Sequence, residues 1–180
     1  MPNVGNQEMR LKVCLAALAA SFVVATPAFA QAASAQAEAR GVVVQPLTLA
    51  RVQDLDFGTV VGSAVAGTVS IDADTGARTV GGGVTGVPSF PGDRGLFQGA
   101  GTSGQDVILT LSAPALLISQ SNPLDTITVS SMVLDQGNLT TRTIGASGVF
   151  QVGVGGDFAI AANQAPALYS ANFDLTADYQ

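Results

Sequence analysis

Pairs of aspartates one residue apart occur twice, at Asp54/Asp56 and at Asp72/Asp74, and these are the closest sets of acids in the chain. Asp72-Ala73-Asp74-Thr75-Gly76 resembles the opening of a calcium loop, where alternating oxygen ligands precede a glycine at the sharp turn. The bidentate glutamate that closes such a loop does not follow. Asp72 and Asp74 therefore stand as weak calcium candidates, and the segment is expected to be a hairpin turn in which carboxylates bond nearby amides and Gly76 takes positive φ. Asp54 and Asp56 share one side of an alternating segment, as the solvent face of a strand does. Glycoside hydrolysis would need two acids converging across a cleft. The one glutamate beyond residue 30 is Glu38, far from both pairs in the chain.

Gly99-Ala100-Gly101-Thr102-Ser103-Gly104 matches the G-x-G-x-x-G pattern, which binds a dinucleotide only where a helix follows and turns its N-terminus to the pyrophosphate. The segment that follows, Val107 to Leu111, alternates as a strand, so a glycine-rich hairpin loop is expected. Asn138-Leu139-Thr140 fits a glycosylation acceptor, and Gly137-Asn138 is read as a turn. The remaining residue types exclude chemistry. Histidine is absent, which removes a Ser-His-Asp triad and the commonest metal ligand. The only lysine and cysteine, Lys12 and Cys14, stand near the N-terminus, so the rest of the chain has no Schiff-base amine and no thiolate. No catalytic residue and no cofactor are expected, and the protein is expected not to be an enzyme.

The elements that would position these residues are strands. From Tyr169 to Tyr179 the odd positions are apolar or aromatic and the even positions polar, the pattern of a strand with one buried and one wet face. Tyr169, Phe173, Leu175 and Tyr179 are the expected core residues of this terminal strand. Full burial of the four would contribute roughly 6–12 kcal/mol. Upstream, Asp54–Val61, Gly67–Asp72, Ala77–Gly81, Gln105–Ser112, Leu116–Ile118, Val149–Val154 and Asp157–Ala161 read as further short strands. A phase change between Ile127/Val129 and Met132/Leu134 predicts a bulge at Ser130-Ser131. Phe57 and Phe150 are expected in the core, and Gly81–Gly95 as an irregular loop. Gly41–Val44 and Leu47–Leu49 flank Pro46, which cannot donate to a ladder, so an edge strand or a broken strand is expected there. The fold class is all-β, an antiparallel immunoglobulin-like sandwich.

Ahead of the strands, Arg10 and Lys12, the apolar run Val13–Ala25 and Ala28-Phe29-Ala30 have the order of a cleaved signal helix, with residues 1–30 removed between Ala30 and Gln31. Residues 31–40 then form a flexible leader and 41–180 one β-sandwich domain. About 150 residues suffice for one core without a covalent staple. The net charge of −6 becomes −7 once Glu8, Arg10 and Lys12 are removed. Arg40, Arg51, Arg78, Arg94 and Arg142 are scattered, so nucleic acid is not an expected partner.

Val44-Gln45-Pro46-Leu47-Thr48-Leu49, Asp54-Leu55-Asp56-Phe57-Gly58-Thr59-Val60, Gly67-Thr68-Val69-Ser70-Ile71, Gly76-Ala77-Arg78, Gly104-Gln105, Gly137-Asn138-Leu139, Tyr169-Ser170 and Asp178-Tyr179 resemble a secreted bacterial family catalogued as domain-of-unknown-function family 4402. The resemblance implies a β-sandwich exported from Gram-negative bacteria to the periplasm or cell surface, and it brings no catalytic residues. In plan the family resembles pilus subunits, whose incomplete sandwich is completed by an extended segment of the next subunit. That resemblance implies a fimbria-like structural subunit with identical subunits or a periplasmic chaperone as partner. Val42, Val44, Leu47 and Leu49 would be its donor or edge strand. Ala167 in place of the family's glycine and the absence of a disulfide depart from the pattern. A self-complete secreted module that binds a glycan or a protein is the competing expectation.

Overall fold

The computed structural model describes residues 32–180. The expected signal segment 1–30 and the cleavage residues Ala28, Ala30 and Gln31 lie outside the described residues. Two units meet at Gly41/Val42. The described part of the first, residues 32–41, is exposed throughout and has no regular secondary structure.

The second unit is built of strands: β1 (Thr48–Gln53), β2 (Val60–Val61), β3 (Gly67–Ile71), β4 (Arg78–Gly82), β5 (Thr85–Gly86), β6 (Gly95–Ala100), β7 (Asp106–Ser112), β8 (Leu116–Ser119), β9 (Thr126–Leu134), β10 (Thr141–Thr143), β11 (Val149–Ile160), β12 (Tyr169–Ser170) and β13 (Asp174–Tyr179). Every named pairing is antiparallel. The larger sheet runs β1-β6-β11-β9-β8-β12, with β3 added along β11 and β4 along β3; a smaller one runs β10-β7-β13, and β2 and β5 form a two-stranded pair. No helix among the described residues is long and apolar enough to cross a membrane.

β11 organises the larger sheet. Its first half, Val149–Val154, pairs with β6, and its second half, Gly156–Ile160, pairs with β3 along the same edge. The sequence predicts two strands there. They merge because Gly153, Gly155 and Gly156 leave room for the carbonyls of Ala73, Ile71 and Ser131, which a Cβ would displace. On its other edge β11 pairs with β9, and the register slips between Asp157↔Ser131 and Phe158↔Val129, leaving Ser130 unmatched. This is the expected bulge, and Ser131 Oγ donates to Asp157 Oδ2 at 2.6 Å beside it.

Two cores follow from this division. The upper one gathers Phe97, Val107, Leu109, Leu134, Ile144, Phe150, Val152 and Val154 between the sheets. The lower one gathers Val69, Val84, Ile127, Phe158 and Ile160, with the ring of Phe57 edge-on to Phe158 at 4.5 Å. Period-two burial along β7 and β11 puts one face of each strand against these clusters.

The C-terminal segment departs from expectation. It is not one strand: Tyr169 lies on β12 beside β8 and packs on the lower core, whereas Leu175 and Tyr179 lie on β13 beside β7 and pack with Phe173 on the upper core. The chain switches sheets through residues 171–173. All four side chains are half-buried rather than fully buried, so the contribution expected of them is an upper limit. The segment 41–44 also forms no strand; the ladder of β1 begins only beyond Pro46, at Thr48.

Candidate functional site

The open side of the sandwich is the candidate site. β13 is an edge of the smaller sheet, and β1 is an edge of the larger one. β1 approaches β13 without pairing to it. Gln180 N–H donates to Asp106 O, so the hydrogen-bonded pairs of the β13–β7 ladder fall at the even residues of β13. The backbone N–H and C=O groups of Leu175, Ala177 and Tyr179 therefore point to the unpaired edge, while their side chains point to the upper core.

At one end the seam between β1 and β13 is tied shut. Tyr179 Oη donates to Gln45 O and accepts Thr102 N–H, both at 2.8 Å, and Gln45 N–H donates to Thr102 Oγ1 at 2.7 Å. At the other end it opens near Leu55 and Phe173 into a groove of about 870 Å³. Its floor is the inner face of the larger sheet around the β9 bulge, with Ile127, Val129 and Phe158. Its walls are segment 55–64 and segment 163–173. The second wall is braced by Tyr169, whose hydroxyl donates to Ala165 O at 2.6 Å and accepts Gln164 Nε2–H at 2.9 Å. The volume falls in the range of sites that enclose a ligand or a short chain segment.

The residues singled out from sequence separate into distinct places. Leu49, on β1, pairs with Gly99 of β6, and Leu47 packs on the upper core, so both belong to the domain's own structure. Val42 and Val44 lie outside any strand, with Val42 80% and Val43 97% exposed. Asp72 caps the hairpin between β3 and β4: its Oδ1 accepts the amides of Asp74 and Thr75 and the Thr75 hydroxyl, which holds its carboxyl below the usual carboxylate range. Asp74 Oδ1 accepts Gln136 N–H at 2.7 Å. Among the described residues no three acidic, histidine or cysteine side chains gather as a metal would need. Asp54 takes Arg51 Nη1–H at 2.6 Å, and Asp56 takes Gly58 N–H at 2.8 Å, so the two carboxylates serve separate local turns.

The glycine-rich motif has a packing origin. A Cβ on Gly99 would overlap the Phe150 ring, and one on Gly101 would overlap the Tyr179 hydroxyl; Gly104 turns at φ +76°. Gly137 and Asn138 also take positive φ, and Asn138 Oδ1 accepts Leu134 N–H at 3.0 Å, so this segment is a turn.

Sequence reasoning missed the arginines. Arg78 donates to the carbonyls of Thr59, Phe90 and Val87 at 2.9–3.0 Å and clamps the groove wall to the loop before β6. Arg94 bonds the carbonyls of Ala73 and Asp74. Arg142 is buried and paired to Asp135 at 2.5 Å. A lone arginine in a strand-rich sequence carries no signal of which carbonyls will surround it.

The fold and this groove define a class: an antiparallel β-sandwich with one open side and no assembled set of reactive groups among the described residues. The family model described as "Domain of unknown function (DUF4402)" matches residues 47–179, and the chain belongs to that family. No curated protein and no solved structure matches the chain.

Proposed function

We propose that this protein is an exported structural subunit, without enzymatic activity, that builds fimbria-like surface polymers by strand addition between identical copies. One observation carries the reading: β13 is paired on one side only, and its inward residues Leu175, Ala177 and Tyr179 are left half-buried over the upper core along that unpaired edge. An added strand would satisfy the outward amides and carbonyls of β13 and cover those side chains, removing an edge that is otherwise free to pair indiscriminately. Export to the periplasm or surface, with a chaperone covering the same edge before assembly, belongs to this reading.

The test is light scattering on the mature chain over a concentration series, beside a variant lacking residues 32–44. Concentration-dependent oligomers in the first and monomers in the second support the reading; monomers in both refute it. A second reading, a self-complete binding module for a glycan or protein, draws on the pairing of β1 with β6 in the same chain and on the Gln45–Tyr179 bond. It requires the mature chain to remain a monomer with the groove free for its ligand.

A further inference from the structure

The five arginines beyond residue 31 fall into two groups. Four are held by the strand-built unit. Arg51 stands in the β1–β6 ladder opposite Phe97, and Arg78 in the β3–β4 ladder opposite Ile71. Arg142 is buried on β10, and the guanidinium of Arg94 is bonded to the carbonyls of Ala73 and Asp74 just before β6. The fifth, Arg40, stands in the leader. Residues 32–46 are exposed throughout, and 32–44 make no backbone hydrogen bond to any other described residue. The first backbone group tied down is Gln45 N–H, on Thr102. Arg40 Nη2 donates to Glu38 Oε2 at 2.8 Å with both side chains largely in water, so the pair is weak and gives way readily. Residues two apart meet on an extended chain and not on a helix, so the backbone around Arg40 is extended.

Exposed, unpaired chain with small and polar residues is where proteins are nicked. Cutting after Arg51, Arg78, Arg94 or Arg142 first requires local opening of the sandwich; cutting after Arg40 requires none. An arginine before the cleaved bond is read by an acidic specificity pocket. Ala39 and Gly41 on either side are small, so the guanidinium is the one long cationic feature of residues 32–44.

The bond also falls at a boundary. The two units meet at Gly41/Val42, and the family match begins at residue 47. All that holds the domain together comes later in the chain: β1 to β13, both cores, and the ring of Gln45, Thr102 and Tyr179. Residues 32–40 carry one acid and one base, so their loss leaves the balance of side-chain charge unchanged.

We propose that Arg40–Gly41 is a processing site, hydrolysed by an arginine-directed endopeptidase after the domain has folded. Water adds across the amide: the C–N bond breaks, Arg40 keeps a carboxylate and Gly41 leaves as an ammonium. Residues 41–180 remain, with Val42–Val44 still attached. This goes beyond the structural-subunit reading and does not depend on it, since the bond is open in the single chain.

Two measurements test it. The first is a trypsin time course on the full chain, read by intact mass. Beyond residue 31, cleavage after Arg40 is expected at least tenfold faster than after Arg51, Arg78, Arg94 or Arg142. It should leave a 41–180 fragment with the unfolding temperature of the uncut chain. The second is the N-terminus of the protein recovered from the cells that make it, expected at Gly41. Arg40→Gln should retain residues before Gly41 in that material and lose the fast tryptic step. Glu38→Gln, which deletes only the ion pair, should be processed as the unaltered chain is. A recovered chain that still carries Arg40, one with any other start, or a Gly41 start that persists in Arg40→Gln overturns the proposal. First tryptic entry at Arg51 or beyond overturns it as well, by showing that the leader is protected.

Discussion

The hydroxyl of Tyr179 donates to the carbonyl of Gln45 at 2.8 Å, joining residues 134 positions apart. Thr102 closes the ring by donating its N–H to the same hydroxyl and accepting the Gln45 N–H on its own. Two sheet edges that do not pair are thus held together by one phenol.

Tyr179→Phe keeps the ring's packing and deletes both bonds of the hydroxyl. The loss is expected to be about 1 kcal/mol, because Thr102 N–H loses its partner in a part-buried place while the exposed Gln45 carbonyl can turn to water. Urea unfolding reads it as a lower midpoint at unchanged slope. Hydrogen exchange should quicken at Gln45 and Thr102 and stay unchanged in β11.

Arg142 and Asp135 form a buried ion pair, with Arg142 5% exposed and further bonds to the carbonyls of Leu139, Thr141 and Asp135. Arg142→Ala leaves the carboxylate partly buried and unpaired, at an expected cost of about 3–5 kcal/mol. Arg142→Lys should recover little, since an ammonium cannot span four acceptors that a planar fork reaches at once. Thermal unfolding of both variants checks this; full stability in the lysine variant would mean that charge alone suffices.

Much of both sheets was legible because period-two burial writes itself into sequence. Val107/Leu109/Leu111 and Phe150/Val152/Val154 gave their faces away, and the phase change at Ser130 marked the bulge. What was illegible depended on partners distant in sequence. Gly155 and Gly156 looked like a break and instead make β11 continuous, because the reason for them is the approach of Ile71, Ala73 and Ser131. The terminal alternation ran unbroken through Ala171-Asn172-Phe173, yet the chain changes sheets there, since β8 and β7 each claim one end. Of the groove, single residues such as Phe57 were recognised as apolar, but its shape arises from segments 55–64 and 163–173 meeting over the bulge.

Asp72 predicts an acid-side response. Its bonds to Thr75 and Asp74 favour the carboxylate, so its folded pKa lies below the unfolded value of about 3.9. The turn's stabilisation is then fully present above that value and is lost as pH falls through the lower folded pKa. Amide exchange or chemical shifts of Asp74 and Thr75 should report the hairpin loosening below about pH 4. Asp72→Ala should loosen the same amides at neutral pH and abolish their response to acid.

Gly99 and Phe150 give the sharpest test of the packing account of the glycine motif. The Phe150 ring occupies the space that a side chain at 99 would need, directly across the β6–β11 ladder. Gly99→Ala must push the ring off its rotamer or spread the two central strands, at about 1–3 kcal/mol. Phe150→Leu alone removes part of a buried ring and costs stability by itself. Combined with Gly99→Ala it should cost less than the two separate losses added, because the smaller side chain makes room for the new methyl. Additive losses would show that Gly99 is required for a reason other than the ring, and nucleotide binding would then have to be tested by direct titration.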